Sequence, residues 1–196
     1  MIKLYSDPTC PDSHRTRIVL AEKELPIDIV ELEADSSKTE LLQINPYGNL
    51  PTIVDRDTVL FESSVVNEYL DERYPHPPLK PGSPAERAQM RLSVLRIEHE
   101  LYPLYYNLVK ASKRAEPMKK LRQYLETIDN YLARQTYFVS EVYTLADVSV
   151  APILWRLSSQ KVDTSKWPHL EAYMDRLFER PAFERSLSEH EQMLHE

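Results

Sequence analysis

The alternation of apolar and polar positions changes its period near residue 80. Before that point short strand-like and helix-like stretches alternate. Ile2-Lys3-Leu4-Tyr5 reads as a strand, and Pro11 to Lys23 as a helix with Cys10 at its cap and proline at its first position, where a missing N–H costs nothing. Leu25 to Leu32 alternates through Leu25, Ile27 and Ile29, which predicts a second strand. Thr39 to Ile44 predicts a short helix stopped by Asn45-Pro46. Pro51 to Asp55 and Thr58 to Phe61 predict a hairpin turning at Arg56-Asp57, and Ser63 to Tyr74 a third helix with Val66, Tyr69 and Leu70 on one face. The order is β-α-β followed by α-β-β-α, a thioredoxin-like α/β arrangement.

Past Pro78 the period is helical throughout. Residues 79–82 predict a linker, and Ser83-Pro84-Ala85-Glu86 is a capping box that opens a helix running to about Ser112, with a kink at Pro103. Glu116 to Arg134 predicts the next helix, through Leu121, Leu125, Ile128 and Leu132. Thr144-Leu145-Ala146-Asp147 is a second capping box, with Tyr143 placed to pack on Val148. The helix it opens is apolar through Trp155, as expected of a buried centre. Trp167 to Arg180 and a short helix after the box Ser188-Glu189-His190-Glu191 complete an all-α domain. The expected boundaries are residues 1–78 and 83–196.

Composition narrows the functional classes. The 196 residues carry a formal charge of -7, which argues against direct, sequence-specific nucleic-acid binding. Gly48 and Gly82 are the only glycines against fifteen prolines, so glycine-rich phosphate loops of either common type are excluded, and the turns are expected to use proline, asparagine and aspartate. Cys10 is the only cysteine, which excludes an intrachain disulfide. With no leader-like start and no apolar run of membrane-spanning length, a cytoplasmic protein without a membrane segment is the expectation.

Several constellations carry candidate chemistry. Glu62-Ser63 falls where a strand ends and a helix begins. That place suits a grip on a small charged ligand and equally suits plain helix capping. Tyr74-Pro75-His76-Pro77-Pro78 cannot join a helix or a central strand, so it reads as an exposed, stiff segment, either linker or docking surface. The helix dipole biases the Cys10 thiol toward thiolate, whereas Asp12 opposes it. Tyr5 and Ser6 read as core strand and loop. The histidines His14, His99, His169, His190 and His195 show no paired metal-ligand spacing, and Lys110, Lys113, Arg114, Lys119, Lys120 and Arg122 read as a solvated helix end.

Asn49-Leu50-Pro51-Thr52-Ile53-Val54, Glu62-Ser63 and the Thr144 to Asp147 box, in this order across two domains, resemble the glutathione transferase superfamily. The resemblance implies a cis bond before Pro51, a Leu50 backbone that pairs with the peptide part of glutathione, and Glu62-Ser63 holding its γ-glutamyl end. Ser13-His14, Arg17 to Lys23, Glu68 to Leu79, Ala151 to Leu157 and Phe178-Glu179-Arg180 are similar, more narrowly, to the bacterial stringent starvation protein A family. That resemblance implies a homodimer without evident transferase activity and with no required cofactor, glutathione remaining a candidate ligand. It also implies association with RNA polymerase holoenzyme in stress, through a Pro75-His76-Pro77 surface that meets the principal sigma factor. The competing implication is a glutathione-dependent thiol transferase using Cys10 with Leu50, Pro51, Glu62 and Ser63, since Cys10-Pro11-Asp12-Ser13 resembles one-cysteine transferase sites.

Overall fold

The computed structural model describes residues 2–32 and 38–195. The chain forms two compact units: one runs to Pro78 and takes back the segment from Pro181 onward, and the other is Leu79–Arg180. The sequence boundary had left residues 181–196 with the helical domain. The physical reason for the difference is polar: two side chains of the first helix, His14 and Arg17, are buried and find partners in that returning segment.

In the first unit β1 (Ile2–Ser6), α1 (Pro11–Glu22) and β2 (Ile27–Glu31) form the parallel crossover, followed by α2 (Thr39–Ile44), β3 (Thr52–Asp55), β4 (Thr58–Phe61) and α3 (Ser63–Arg73). The sheet order is β2-β1-β3-β4. Leu4 pairs with Ile29 in the parallel ladder and with Ile53 in the antiparallel one, and Ile53 pairs in turn with Leu60. Leu4, Ile18, Leu20, Leu41, Ile53, Val66 and Leu70 are fully buried and make the core. From Ser13 to Leu20 every residue of α1 is buried, so this helix is covered on more than one face. It packs on α3 and on α9 (Pro181–Ser186), which leads into α10 (Glu189–Gln192).

The second strand starts at Ile27 and not at Leu25 because the end of α1 uses Leu25. Its N–H returns to the Leu20 carbonyl (3.3 Å) and that of Glu24 to Ala21 (3.2 Å), closing the helix with Glu24 at φ 50. Glycine ordinarily fills such a position. Arg56 at the hairpin, Glu62 and Lys161 also take positive φ, so turns expected of proline, asparagine and aspartate are shared with longer side chains.

The second unit contains α4 (Pro84–Arg96), α5 (Tyr102–Lys110), α6 (Ala115–Leu132), α7 (Leu145–Trp155) and α8 (Pro168–Phe178). The long helix expected from Ser83 is broken, but upstream of Pro103: a π-helical turn spans Ile97–Leu101 before α5 begins. Pro103 has no N–H to offer the carbonyl one turn earlier, and the wider turn absorbs the change of register. α7 is buried from Leu145 to Leu154. At its start the fully buried Asp147 carboxylate accepts from Thr144 N (2.7 Å), Phe138 N (2.8 Å) and the Tyr173 hydroxyl (2.7 Å), tying cap, loop and α8 to one group. No described helix is long and apolar enough to cross a membrane.

Candidate functional site

Two places in the first unit draw on the residues singled out by the sequence, and both depend on how α3 lies against α1. Ser63, Asn67 and Asp71 recur every four residues, forming one stripe on α3 that is polar yet buried. Each meets a polar group of α1 or its cap. Arg15 Nε donates to Ser63 Oγ (2.6 Å), Thr16 Oγ1 to Asn67 Oδ1 (2.9 Å), and Lys23 Nζ to Asp71 Oδ1 (2.6 Å). The stripe fixes both ends of α3, and each end carries one of the candidate sites.

At the first end lies a cleft of about 320 Å³ lined by Asp12, Asn49, Leu50, Glu62 and Ser63. The Leu50-Pro51 bond is cis. Glu62 holds φ 66 and ψ 107 as the cap of α3, and its Oε1 accepts from Asn49 Nδ2 (2.8 Å). A non-glycine residue in the left-handed region beside a cleft is a strained position held by its surroundings. The Ser63 hydroxyl, buried, accepts from Arg15 and donates to Asp12 Oδ1 (3.0 Å), while Arg15 Nη2 reaches the same oxygen (2.9 Å). A protein carboxylate, that of Asp12, therefore stands against both Ser63 and Arg15 beside the cleft.

Cys10 caps α1 through its extended backbone, and its thiol makes no capping hydrogen bond. It is half-buried, and burial first, then the charge of Asp12, pushes its pKa above the ordinary thiol value. The dipole effect expected from the sequence is thus outweighed. The Tyr5 hydroxyl donates to Glu40 Oε1 (2.5 Å) and Ser6 Oγ accepts from Arg17 Nη1 (2.6 Å), and neither residue is among those lining the cleft.

At the other end of α3 the helix stops at Arg73, whose guanidinium lies over the Tyr74 ring (5.2 Å to the centroid). Tyr74 is half-buried, whereas Pro75, His76, Pro77 and Pro78 are all exposed, and the His76-Pro77 bond is cis. The segment is anchored from beneath: besides Asp71, the buried Lys23 ammonium donates to the Pro77 carbonyl. An exposed proline-rich segment is thus tied by one of its carbonyls to a buried ion pair.

Arg15 belongs to none of the motifs read from the sequence, and Lys23, Asp71 and Asn49 enter only as members of the stretches Arg17 to Lys23, Glu68 to Leu79 and Asn49 to Val54, with no role of their own. Arg15 carried a usable signal in its i, i+3 spacing from Asp12, and Asn49 in its place before Leu50-Pro51. Lys23 carried none, since its partner is 48 positions away. Among the described residues no group of three His, Cys, Asp or Glu side chains is placed to hold a metal ion.

Comparison with known proteins bears on the fold and the family. Residues 4–78 match the family Glutathione S-transferase, N-terminal domain, and residues 83–181 match Glutathione S-transferase, C-terminal domain. The chain is 43% identical to a stringent starvation protein A homolog of Pasteurella multocida, over 95% of this chain and 90% of that protein. It is 42% identical to the homolog of Coxiella burnetii, over 100% and 96% respectively. The crystal structure of glutathione transferase Omega 3C from Trametes versicolor superposes with a TM-score of 0.87 at 25% identity, covering 99% of this chain and 88% of that one.

Proposed function

The chain belongs to the stringent starvation protein A family, on the glutathione S-transferase fold, and from that premise we propose that it acts by docking on the transcription machinery. It engages sigma-factor-containing RNA polymerase holoenzyme through the Tyr74 to Pro78 surface as part of a stress response in the cytoplasm. A homodimer presents this surface twice and so raises the effective affinity. The reading requires no cofactor.

The observation that carries it is the combination of exposure at each residue from Pro75 to Pro78 with the Lys23 anchor at the Pro77 carbonyl. A surface already fixed before binding loses little conformational entropy on contact. The competing reading, thiol transfer with glutathione at Cys10, needs an accessible thiolate and a free carboxylate grip. The raised Cys10 thiol and the engaged Ser63 both work against it.

Co-purification of RNA polymerase with tagged protein tests the proposal. His76→Ala is expected to reduce polymerase capture at least ten-fold, with an unchanged circular dichroism spectrum. Undiminished capture by that variant overturns the docking role of this surface.

A further inference from the structure

We propose that an exposed basic surface of the second unit, formed by the start of α6 and the turn after α7, holds the phosphate backbone of duplex DNA without reading its sequence. DNA is the duplex that a polymerase-bound protein meets, so the choice of partner rests on the docking reading above; the surface itself does not.

Lys113, Arg114, Lys119, Lys120 and Arg122, which with Lys110 read from the sequence alone as a solvated helix end, are all exposed. The structure adds two more cations. Arg114 Nη2 donates to the Gln160 carbonyl (3.2 Å) and to Gln160 Oε1 (2.9 Å), which brings the turn carrying the exposed Lys161 against the start of α6. Lys166 joins them through Asp163, whose carboxyl is held below its ordinary value by hydrogen bonds from Ser165 first and then by the nearby charges of Lys166 and Arg122. Counted with Glu116 and Asp163, these eight cations leave a net +6 in a chain of -7. Among the described residues none of the eight forms an ion pair, whereas Lys3, Arg17, Lys23 and Arg96 each meet a carboxylate.

Helix electrostatics do not account for the cluster. Lys110, in the last turn of α5, stands where the dipole favours a cation, but Arg114 is the cap at the positive end of α6, where a cation is disfavoured. Lys119 and Arg122, three residues apart on α6, add like-charge repulsion. Charges from which the fold gains nothing mark a surface kept for a partner. The chemistry of that partner follows from what the surface lacks. Val109 is the one exposed large apolar side chain beside these cations, so the aromatic or aliphatic centre on which protein interfaces depend is missing. No exposed aromatic ring lies among them to stack on unpaired bases. What remains is a set of cations, which meet the phosphates of any sequence alike. The negative remainder of the chain turns this face toward the duplex.

Fluorescence anisotropy of a labelled DNA duplex of arbitrary sequence with the full-length protein, as KCl is raised from about 50 to about 200 mM, tests the assignment. Binding is expected, with log K falling against log salt at a slope of about -2.7 or steeper, the value for three phosphates neutralised; no binding, or a shallower slope, overturns it. The lysines changed in Lys113→Glu/Lys119→Glu/Lys120→Glu make no ion pair or side-chain hydrogen bond among the described residues. This variant is expected to bind at least ten-fold more weakly, and a smaller loss overturns the assignment. Should it fail to fold, Lys113→Gln/Lys119→Gln/Lys120→Gln carries the titration, a loss of three-fold or more supporting the proposal and a smaller one overturning it. An RNA duplex of the same sequence is expected to bind no more tightly than the DNA, and tighter binding reassigns the surface and overturns the proposal. Capture of DNA-free polymerase separates this proposal from the docking reading. The charge-reversed variant is expected to capture polymerase as the wild type does; lost capture with DNA affinity unchanged makes the surface a polymerase contact and overturns the DNA assignment. A wild type that binds DNA as expected but captures no polymerase sinks the docking reading alone.

Discussion

The Nζ of Lys23 lies 2.6 Å from Oδ1 of Asp71, and both side chains are withdrawn from solvent. The pair joins the end of α1 to the last turn of α3, and its third partner is the carbonyl of Pro77 in the exposed segment. A buried ion pair is often no more stabilising than a well-packed apolar pair, but it fixes geometry, and breaking one partner leaves an uncompensated charge. Here the geometry fixed is that of the proline knob.

Lys23→Met should therefore cost about 3–5 kcal/mol of stability, the usual range for orphaning one member of a buried pair. Urea unfolding measures this. Lys23→Met/Asp71→Leu is expected to recover most of the loss but not polymerase capture, because neither replacement holds the Pro77 carbonyl. A double variant with normal capture would show that the clamp is dispensable for the surface.

The returning segment makes a comparable prediction at the opposite face of α1. Arg17 Nη2 donates to Glu191 Oε2 (2.6 Å) and Arg17 Nε to the Ser186 carbonyl (2.9 Å), while His14 Nδ1 lies 3.3 Å from Glu191 Oε1 and Ser188 Oγ donates to the Pro8 carbonyl (2.7 Å). Glu191→Leu should cost about 3–5 kcal/mol. Amide hydrogen exchange is expected to accelerate in α1, whose packing on α9 the network supports. Unchanged protection there would show that the segment is not integral to the first unit.

The β-α-β then α-β-β-α order, the hairpin and the capping boxes at Ser83, Thr144 and Ser188 were legible because each is written in neighbouring residues. The break at Ile97–Leu101 was placed too far along, since Pro103 marks where an N–H is missing but not where the helix widens to accommodate it. The polar stripe of Ser63, Asn67 and Asp71 escaped notice because a helix is expected to bury its apolar face, here Val66 and Leu70. Only the tertiary partners Arg15, Thr16 and Lys23 make a polar face fit for burial. The same holds for Asp12. Its opposition to the Cys10 thiol was visible from two residues away, its place at Ser63 was not, because that contact spans 51 positions.

Asp147 ties the second unit together and should show both a stability cost and a pH signature. Asp147→Ala leaves the N–H groups of Phe138 and Thr144 and the Tyr173 hydroxyl without their acceptor, at about 1–3 kcal/mol each, so a loss of about 3 kcal/mol or more is expected. Burial raises the Asp147 pKa above its ordinary value of 3.8, outweighing the hydrogen bonds that favour the charged form. The folded state then holds the proton more tightly than the unfolded one. This group's contribution is greatest at low pH and declines as pH rises from the ordinary carboxylate value through the folded-state value. Subtracting the urea-derived stability profile of Asp147→Asn from that of the wild type should isolate the slope, and a flat difference would contradict it.

Cys10 offers the last test, through chemistry rather than stability. Burial raises its pKa first and the Asp12 charge second, so at pH 7.5 the thiol should alkylate with iodoacetamide more slowly than a cysteine in an unstructured peptide. Asp12→Asn removes the electrostatic part and keeps the side chain's size. The alkylation rate is then expected to rise, because removing the second cause lowers the pKa toward the working pH. The variant should still react more slowly than the unstructured peptide, because burial remains. A rate unchanged by Asp12→Asn would mean that burial alone restrains the thiol.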